Sequence, residues 1–335
     1  MGACGGGGKT ATVAIGGWGG VFDEATQKAY LNEFDAANHL ASRFVDAPGE
    51  QLAQVEAQST AHKDAWDVVD SLGAGSAYAA YAKGQLLKLP APLEERLKRE
   101  LGAANVTPFG IAHGSHAEVI VCNMAKMTSC PATMTLFYEP KTYPQPRLYP
   151  GIEPIAAITT AEVAEGWQLS WTPTNPIDPP SVFEQLYKIR SQIKAYWYSG
   201  AQQLQQMRSG EADLGLMWSD VAYQLVAEGM HLQINWSGGA YEPSYWAVLK
   251  NAPDPQDGLK LLSWIASHPR AETAWAKLVH DSVPNPIALS ELPKSIALQL
   301  ADNPVNLAKL AVPNFKWYAE YSPSLDAEYK SFVGG

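Results

Sequence analysis

The apolar positions along the chain fall into short buried runs that alternate with stretches of helical spacing. Residues 12–15 form a β-rich apolar run ending in Gly16-Gly17-Trp18-Gly19-Gly20, and Phe22, Ala25, Ala29, Tyr30 and Phe34 then recur on one helix face. Strand, glycine loop and helix in that order make the repeating unit of an α/β sheet. Residues 67–70 predict another buried strand, followed by a small-residue loop over 71–76 and a segment over 77–83. A long, almost uncharged extended stretch over 111–123 carries His113, Ser115 and His116, and its length suits a crossover between two domains. The proline-rich segments 131–154 and 171–180 predict irregular, surface-lying chain. A helix is expected over 182–195, and Ser199 is placed to cap another over 201–207 that stops at Ser209-Gly210. A strand over 214–218 leads into a helix over 219–228 ended by Gly229, and 238–248 is a second extended crossing. Helices over 257–267 and 270–278 are split by Pro269, and 307–332 closes the chain. Open α/β sheets bind ligands at the carboxyl ends of their strands, here 16–20, 71–76 and 218–220.

Composition narrows the class. At 335 residues the chain is long enough for about two domains, each with its own core. Apolar residues make up 46% and charged residues 17%, a globular balance. No uncharged apolar run approaches the roughly 20 residues that cross a bilayer. A net charge of −10 argues against general nucleic-acid binding, which draws its affinity from Lys and Arg on phosphates, and mildly favours cationic ligands. The 11 tryptophans and 15 tyrosines are many for this length, and some of them are candidates for a binding wall. No G-x-S-x-G, H-E-x-x-H or EF-hand loop occurs.

The opening residues carry two competing signals. The run into Gly8-Lys9-Thr10 is not a P-loop, because Ala3 stands where the first glycine is required and no strand precedes it. Gly2-Ala3-Cys4 followed by glycines resembles the remnant of a bacterial lipoprotein signal, with Cys4 as the lipid-bearing residue and 1–8 as a flexible tether. The plain alternative is a cysteine in a loose tail. Cys122 and Cys130 have no His or Cys at zinc-ligand spacing, so they read as a disulfide if the chain is exported and as two buried thiols otherwise.

Three segments then carry a family resemblance: Trp197-Tyr198-Ser199-Gly200-Ala201-Gln202-Gln203, Gly210-Glu211-Ala212-Asp213-Leu214-Gly215, and Trp218-Ser219. They resemble the ABC-transporter solute-binding proteins of the spermidine/putrescine-binding type. Residues 16–34, Cys122-Asn123 through Cys130-Pro131 to Tyr143-Pro144-Gln145-Pro146-Arg147, and Gly238-Gly239-Ala240-Tyr241 with Trp246-Ala247-Val248 fit the same family in the same order. The resemblance implies a two-lobed α/β protein with the type II periplasmic-binding fold and a multi-strand hinge. Such a protein closes over one small solute outside the cytoplasm and delivers it to a membrane permease, as a monomer, with no cofactor and no chemistry. By that analogy residues 9–112 and 243–289 form one lobe, and 113–242 with 290–335 the other.

Polyamine binders of this kind hold ammonium groups against aromatic faces and carboxylates. Trp218 falls where a cleft tryptophan is expected, Trp18 sits on the first glycine loop, and Tyr241 lies on the second crossing, whereas Trp246 within an apolar strand is assigned to the core. The chain departs from the family at its carboxylates. Ser244 stands where the key aspartate belongs, with Glu242 two residues earlier, and the acidic pair of the other lobe is missing from Tyr149-Pro150-Gly151-Ile152-Glu153. Glu242 and Asp220 either replace these groups or face solvent. Other features suit an anionic end: Ser199 and Gly200 at a helix N-terminus, Gly75 and Ser76 in a small loop, and Arg147 as a bidentate clamp. The expected solute is a small amine, polyamine first, with a zwitterionic amino acid, an aminoalkylphosphonate or ferric iron as alternatives. A secreted enzyme on the same fold, using Ser76, Ser115 and His113, is the competing class.

Overall fold

The computed structural model describes residues 11–152, 154–166 and 179–335. Cys4, the tether over 1–8, Glu153 and nearly all of the proline-rich segment 171–180 lie outside the described residues. Among the described residues there are nine strands: β1 (Ala11–Gly17), β2 (Leu40–Asp46), β3 (Val68–Gly73), β4 (Val106–Thr107), β5 (Gly110–Asn123), β6 (Arg147–Pro150), β7 (Ile193–Trp197), β8 (Leu214–Trp218) and β9 (Leu232–Val248). They form one sheet in the order β2-β1-β3-β9-β5-β8-β6-β7, with β4 beside β5.

Two long strands tie the halves together. β5 and β9 pair antiparallel from Gly110 opposite Ala247 to Asn123 opposite Leu232. At one end β9 also pairs with β3, and at the other β5 pairs with β8, so each strand belongs to both lobes. Their register slips between Ala112 and Ser115 and between Glu118 and Ile120, bulges that bend the pair where it passes from lobe to lobe. His116 faces Glu242 between those slips.

The core follows from the two-residue period of these strands. On β5, Ile120 and Cys122 pack with Phe137, Ile158 and Phe183 on one face, while Ala117, Val119 and Val121 pack with Trp197, Met217 and Leu225 on the other. On β9, Trp246 and Val248 join Val13, Phe34 and Trp275, while Tyr245 and Ala247 join Val55, Trp66 and Phe109. Trp246 is therefore core, as its apolar strand predicts. Leu292 and Leu300 pack in the cluster that holds Trp246, and Ala301 in the one that holds Trp197.

Local signals worked where side chains act on their own backbone. Ser199 accepts a hydrogen bond from the Gln202 amide at the start of helix Gly200–Ser209, and Gly210 ends it in the left-handed conformation. Three expectations need correction. Residues 131–146 are largely irregular and partly exposed as expected, apart from the short helix Met134–Phe137, but β6 is fully buried between β7 and β8, and the Tyr138 and Tyr149 hydroxyls meet at 2.5 Å in the core. Residues 193–195 are strand, because the helix stops at Ile189. The loop over 71–76 is shorter than expected, since β3 runs to Gly73 and a helix starts at Ala74. Cys122 and Cys130 are joined in a disulfide with Cα atoms 5.7 Å apart.

Candidate functional site

A cavity of about 510 Å³ opens between the lobes at the carboxyl ends of β1, β3 and β6. Trp18, Gln51, Gly75 and Ser76 supply its first-lobe wall, Gly151 and Ile152 the second-lobe wall, and His116, Glu242 and Pro243 its floor on the crossing strands. Helix Phe315–Gly334 covers one side with Tyr318, Ser322, Asp326 and Lys330. Gly75 lets the two helices approach closely there: a Cβ would sit 3.1 Å from the Tyr318 ring.

Trp18 is held by both ends. Its amide donates to Asp23 Oδ1 at 3.0 Å and its indole N–H to the Ser71 carbonyl at 2.9 Å. Gly19, with φ at 81°, lets the loop turn there. The ring then meets Trp218 of the other lobe edge-on, centroids 5.7 Å apart. Trp218 is backed by Trp197 at 5.0 Å and lies 5.1 Å from the His116 ring. A Cβ at Gly200 would lie 3.6 Å from Trp218, so Ser199 and Gly200 stand behind this tryptophan, with the Ser199 hydroxyl used as a cap.

Carboxylates converge on the same place. Asp220 opens helix Ser219–Ala227, and Glu242 is 6% exposed. Asp220 Oδ1, Glu242 Oε2 and the Trp218 indole N–H have no hydrogen-bond partner among the described residues. Glu242 Oε2 lies 3.6 Å from His116 Nε2, and Asp281 Oδ2 lies 4.0 Å from His116 Nδ1. Burial by itself would lower the His116 pKa, but the Glu242 carboxylate and the charges of Asp281 and Asp220 hold it up at about 9. Burial, opposed by His116, raises Asp281 to about 7 and shifts Asp220 in the same direction.

Other expected residues lie elsewhere. Arg147 is 0% exposed at the amino end of β6, whose carboxyl end is the one at the cleft. Its guanidinium donates to the Tyr143 carbonyl at 2.7 Å and stacks 5.0 Å over Phe137, and burial lowers its pKa to about 10. It is a core residue and clamps no ligand here. Tyr241 donates to Asp302 at 2.7 Å. The Ser244 hydroxyl bonds Ser71 Oγ at 3.2 Å and the Gly114 carbonyl at 3.3 Å, inside the hinge. His116 and the C-terminal helix line the cavity and Asp281 stands beside His116, and none of them is among the residues expected at the site. The signal for His116 was its place in an apolar crossing strand, while Asp281 had none.

The nearest approach to a catalytic constellation is Asp70, Ser71 and His113. Both Ser71 Oγ, at 2.8 Å, and Asp70 Oδ1, at 2.5 Å, address the same ring nitrogen, Nδ1, and the side chains are buried. A hydrolytic triad needs the hydroxyl and the carboxylate on opposite ring nitrogens. Ser115 is bonded to Asp302 at 2.6 Å, and Ser76 lines the cavity apart from His113.

Two α/β lobes on a shared pair of crossing strands, with a cleft between them, make the type II periplasmic-binding fold. The chain belongs to the bacterial extracellular solute-binding proteins, whose family profile matches residues 29–296. A gamma-aminobutyric acid-binding protein of Pseudomonas aeruginosa is 22% identical over 321 residues, covering 94% of this chain and 89% of that one. Among solved structures, an ABC-transporter substrate-binding protein from Bradyrhizobium japonicum superposes with a TM-score of 0.86 at 23% identity, covering 96% of this chain and 99% of that one. A spermidine/putrescine ABC-transporter substrate-binding protein from Streptococcus pneumoniae superposes at 0.70 with 16% identity, covering 96% and 99%. By family the protein is thus an extracellular solute-binding protein. Among the described residues no helix is long and apolar enough to cross a membrane.

Proposed function

We propose that the protein captures a small amine-bearing metabolite in the interlobe cleft and delivers it to its permease. The observation that carries this reading is the acidic and aromatic set at one end of the cavity: Trp18 and Glu242 line it, and Asp220, Asp281 and Trp218 gather behind them around His116. An ammonium group is attracted by such carboxylates and by indole faces. An anionic end of the same solute has donors across the cavity. Helix Ala74–Ala82 begins there at Gly73 with no side-chain cap, so its first N–H groups point toward the cleft. A short ω-amino acid uses both ends, and the similarity to a gamma-aminobutyric acid-binding protein over 94% of the chain supports it. A polyamine is the second reading, favoured by the third carboxylate, Asp281, beside the other two.

The test is a thermal-shift screen followed by calorimetry with 4-aminobutyrate, 2-aminoethylphosphonate, putrescine, spermidine and ferric citrate. A ligand at a hundred times its Kd adds about 2.7 kcal/mol of stability, well within detection. Stabilisation by at least one of the four amines is expected. A melting temperature unmoved by all of them overturns the reading.

A further inference from the structure

The acidic end of the cleft already holds a cation of the protein's own. His116 sits on β5 with Glu242 of β9 on one ring nitrogen and Asp281, from the turn after helix Pro269–Val279, on the other. Asp220 of helix Ser219–Ala227 adds its charge from the second lobe, and the Trp218 ring covers the imidazole. The groups that act on His116 are therefore all acidic, and Asp302 and His280 act one step further out, on Asp281 and Asp220. Asp302 is in turn engaged by Ser115 and Tyr241.

Resting on the amine reading above, we propose that His116 is the specificity-determining residue of this cleft: as a resident imidazolium it cancels one cage carboxylate, so that the site takes a solute with one ammonium and discriminates against diamines. The physical reason is the sign of each interaction. A fixed positive charge repels both ends of a diamine, whereas for a zwitterion the repulsion of the ammonium is offset by attraction of the carboxylate. Three carboxylates without His116 make a dication cage. Three carboxylates with it leave less charge to be met, and the indole faces serve the single ammonium. The cause lies in geometry, and the pKa of about 9 keeps the imidazole charged across the neutral range.

Calorimetry of the whole chain at pH 8, above the Asp281 pKa of about 7 and below that of His116 at about 9, with two probes, 4-aminobutyrate and putrescine, tests this. The wild type is expected to favour 4-aminobutyrate. His116→Gln should shift the ratio of the two dissociation constants toward putrescine by about tenfold or more. Asp281→Asn, which removes a negative charge from the same cage, should shift that ratio the other way, and it serves as the independent variant if His116→Gln fails to fold. In the wild type, the NMR titration of the His116 ring should centre well above the ordinary histidine range. A ratio unchanged in both variants, with the two constants moving by a common factor, overturns the proposal and leaves the amine reading standing. Failure of the wild type to bind either probe or any other amine overturns both.

Discussion

Glu162 is a buried carboxyl with nothing to hold its charge. It is 0% exposed in helix Pro154–Ala164, and neither oxygen has a hydrogen-bond partner among the described residues. Burial first, and then Glu165, raise its pKa from 4.5 to about 9. The folded chain therefore keeps a proton that the unfolded chain releases, and stability falls as pH rises from about 4.5 toward about 9. The slope from this one group reaches about 1.4 kcal/mol per pH unit. Glu162→Gln keeps the shape without the titration, so urea unfolding at pH 6 and pH 8.5 should show a flatter dependence in the variant. Equal slopes would exclude Glu162 as the source. Residues differ in how far sequence reveals them. Trp18 was legible because a tryptophan among four glycines at a strand end has little core to enter. Arg147 misled because a guanidinium is normally exposed, and its burial over Phe137 depends on chain folded around it.

At the scale of elements, the β5–β9 pair is the part whose failure would be felt throughout. Gly110 lies against β9 so closely that a Cβ would come within 2.0 Å of the Trp246 carbonyl oxygen. That oxygen is backbone in a buried strand and cannot step aside. Gly110→Ala should cost roughly 3 kcal/mol or more, read as a lowered midpoint in chemical unfolding. A midpoint unchanged from the wild type would mean that the two strands pair less tightly than described. The elements that sequence located correctly carry their own local devices, such as Ser199 and Gly210 around their helix. β6 escaped because all of its four residues are buried, which leaves no alternation to read.

At the scale of the molecule, the lobes meet at the Trp18–Trp218 pair and along helix Phe315–Gly334, whose Tyr318 and Phe315 lie against Gly75 and Tyr78 of helix Ala74–Ala82. Trp18 reaches from the first lobe into the cluster around Trp218 in the second. A hinge of two bent strands permits the lobes to part there. Addition of the bound amine should reduce the radius of gyration in small-angle scattering and change the tryptophan fluorescence. Trp18→Ala should weaken amine binding by about tenfold or more, since it removes one ring face. Scattering identical with and without ligand, together with full affinity in the variant, would exclude closure over this pair. The sequence by itself determined the α/β alternation, the two crossings, the strand ends where a cleft forms and the family. The first three follow from periodicity and from caps, which act within a few residues, and the family from the resemblance of motifs in order. Tertiary structure decided that Glu242 and His116 line the cleft with Asp220 and Asp281 grouped around His116, and that Arg147 lies in the core. Those depend on segments far apart in sequence, from Asp220 through Glu242 to Asp281, being brought together by the two strands that cross between the lobes.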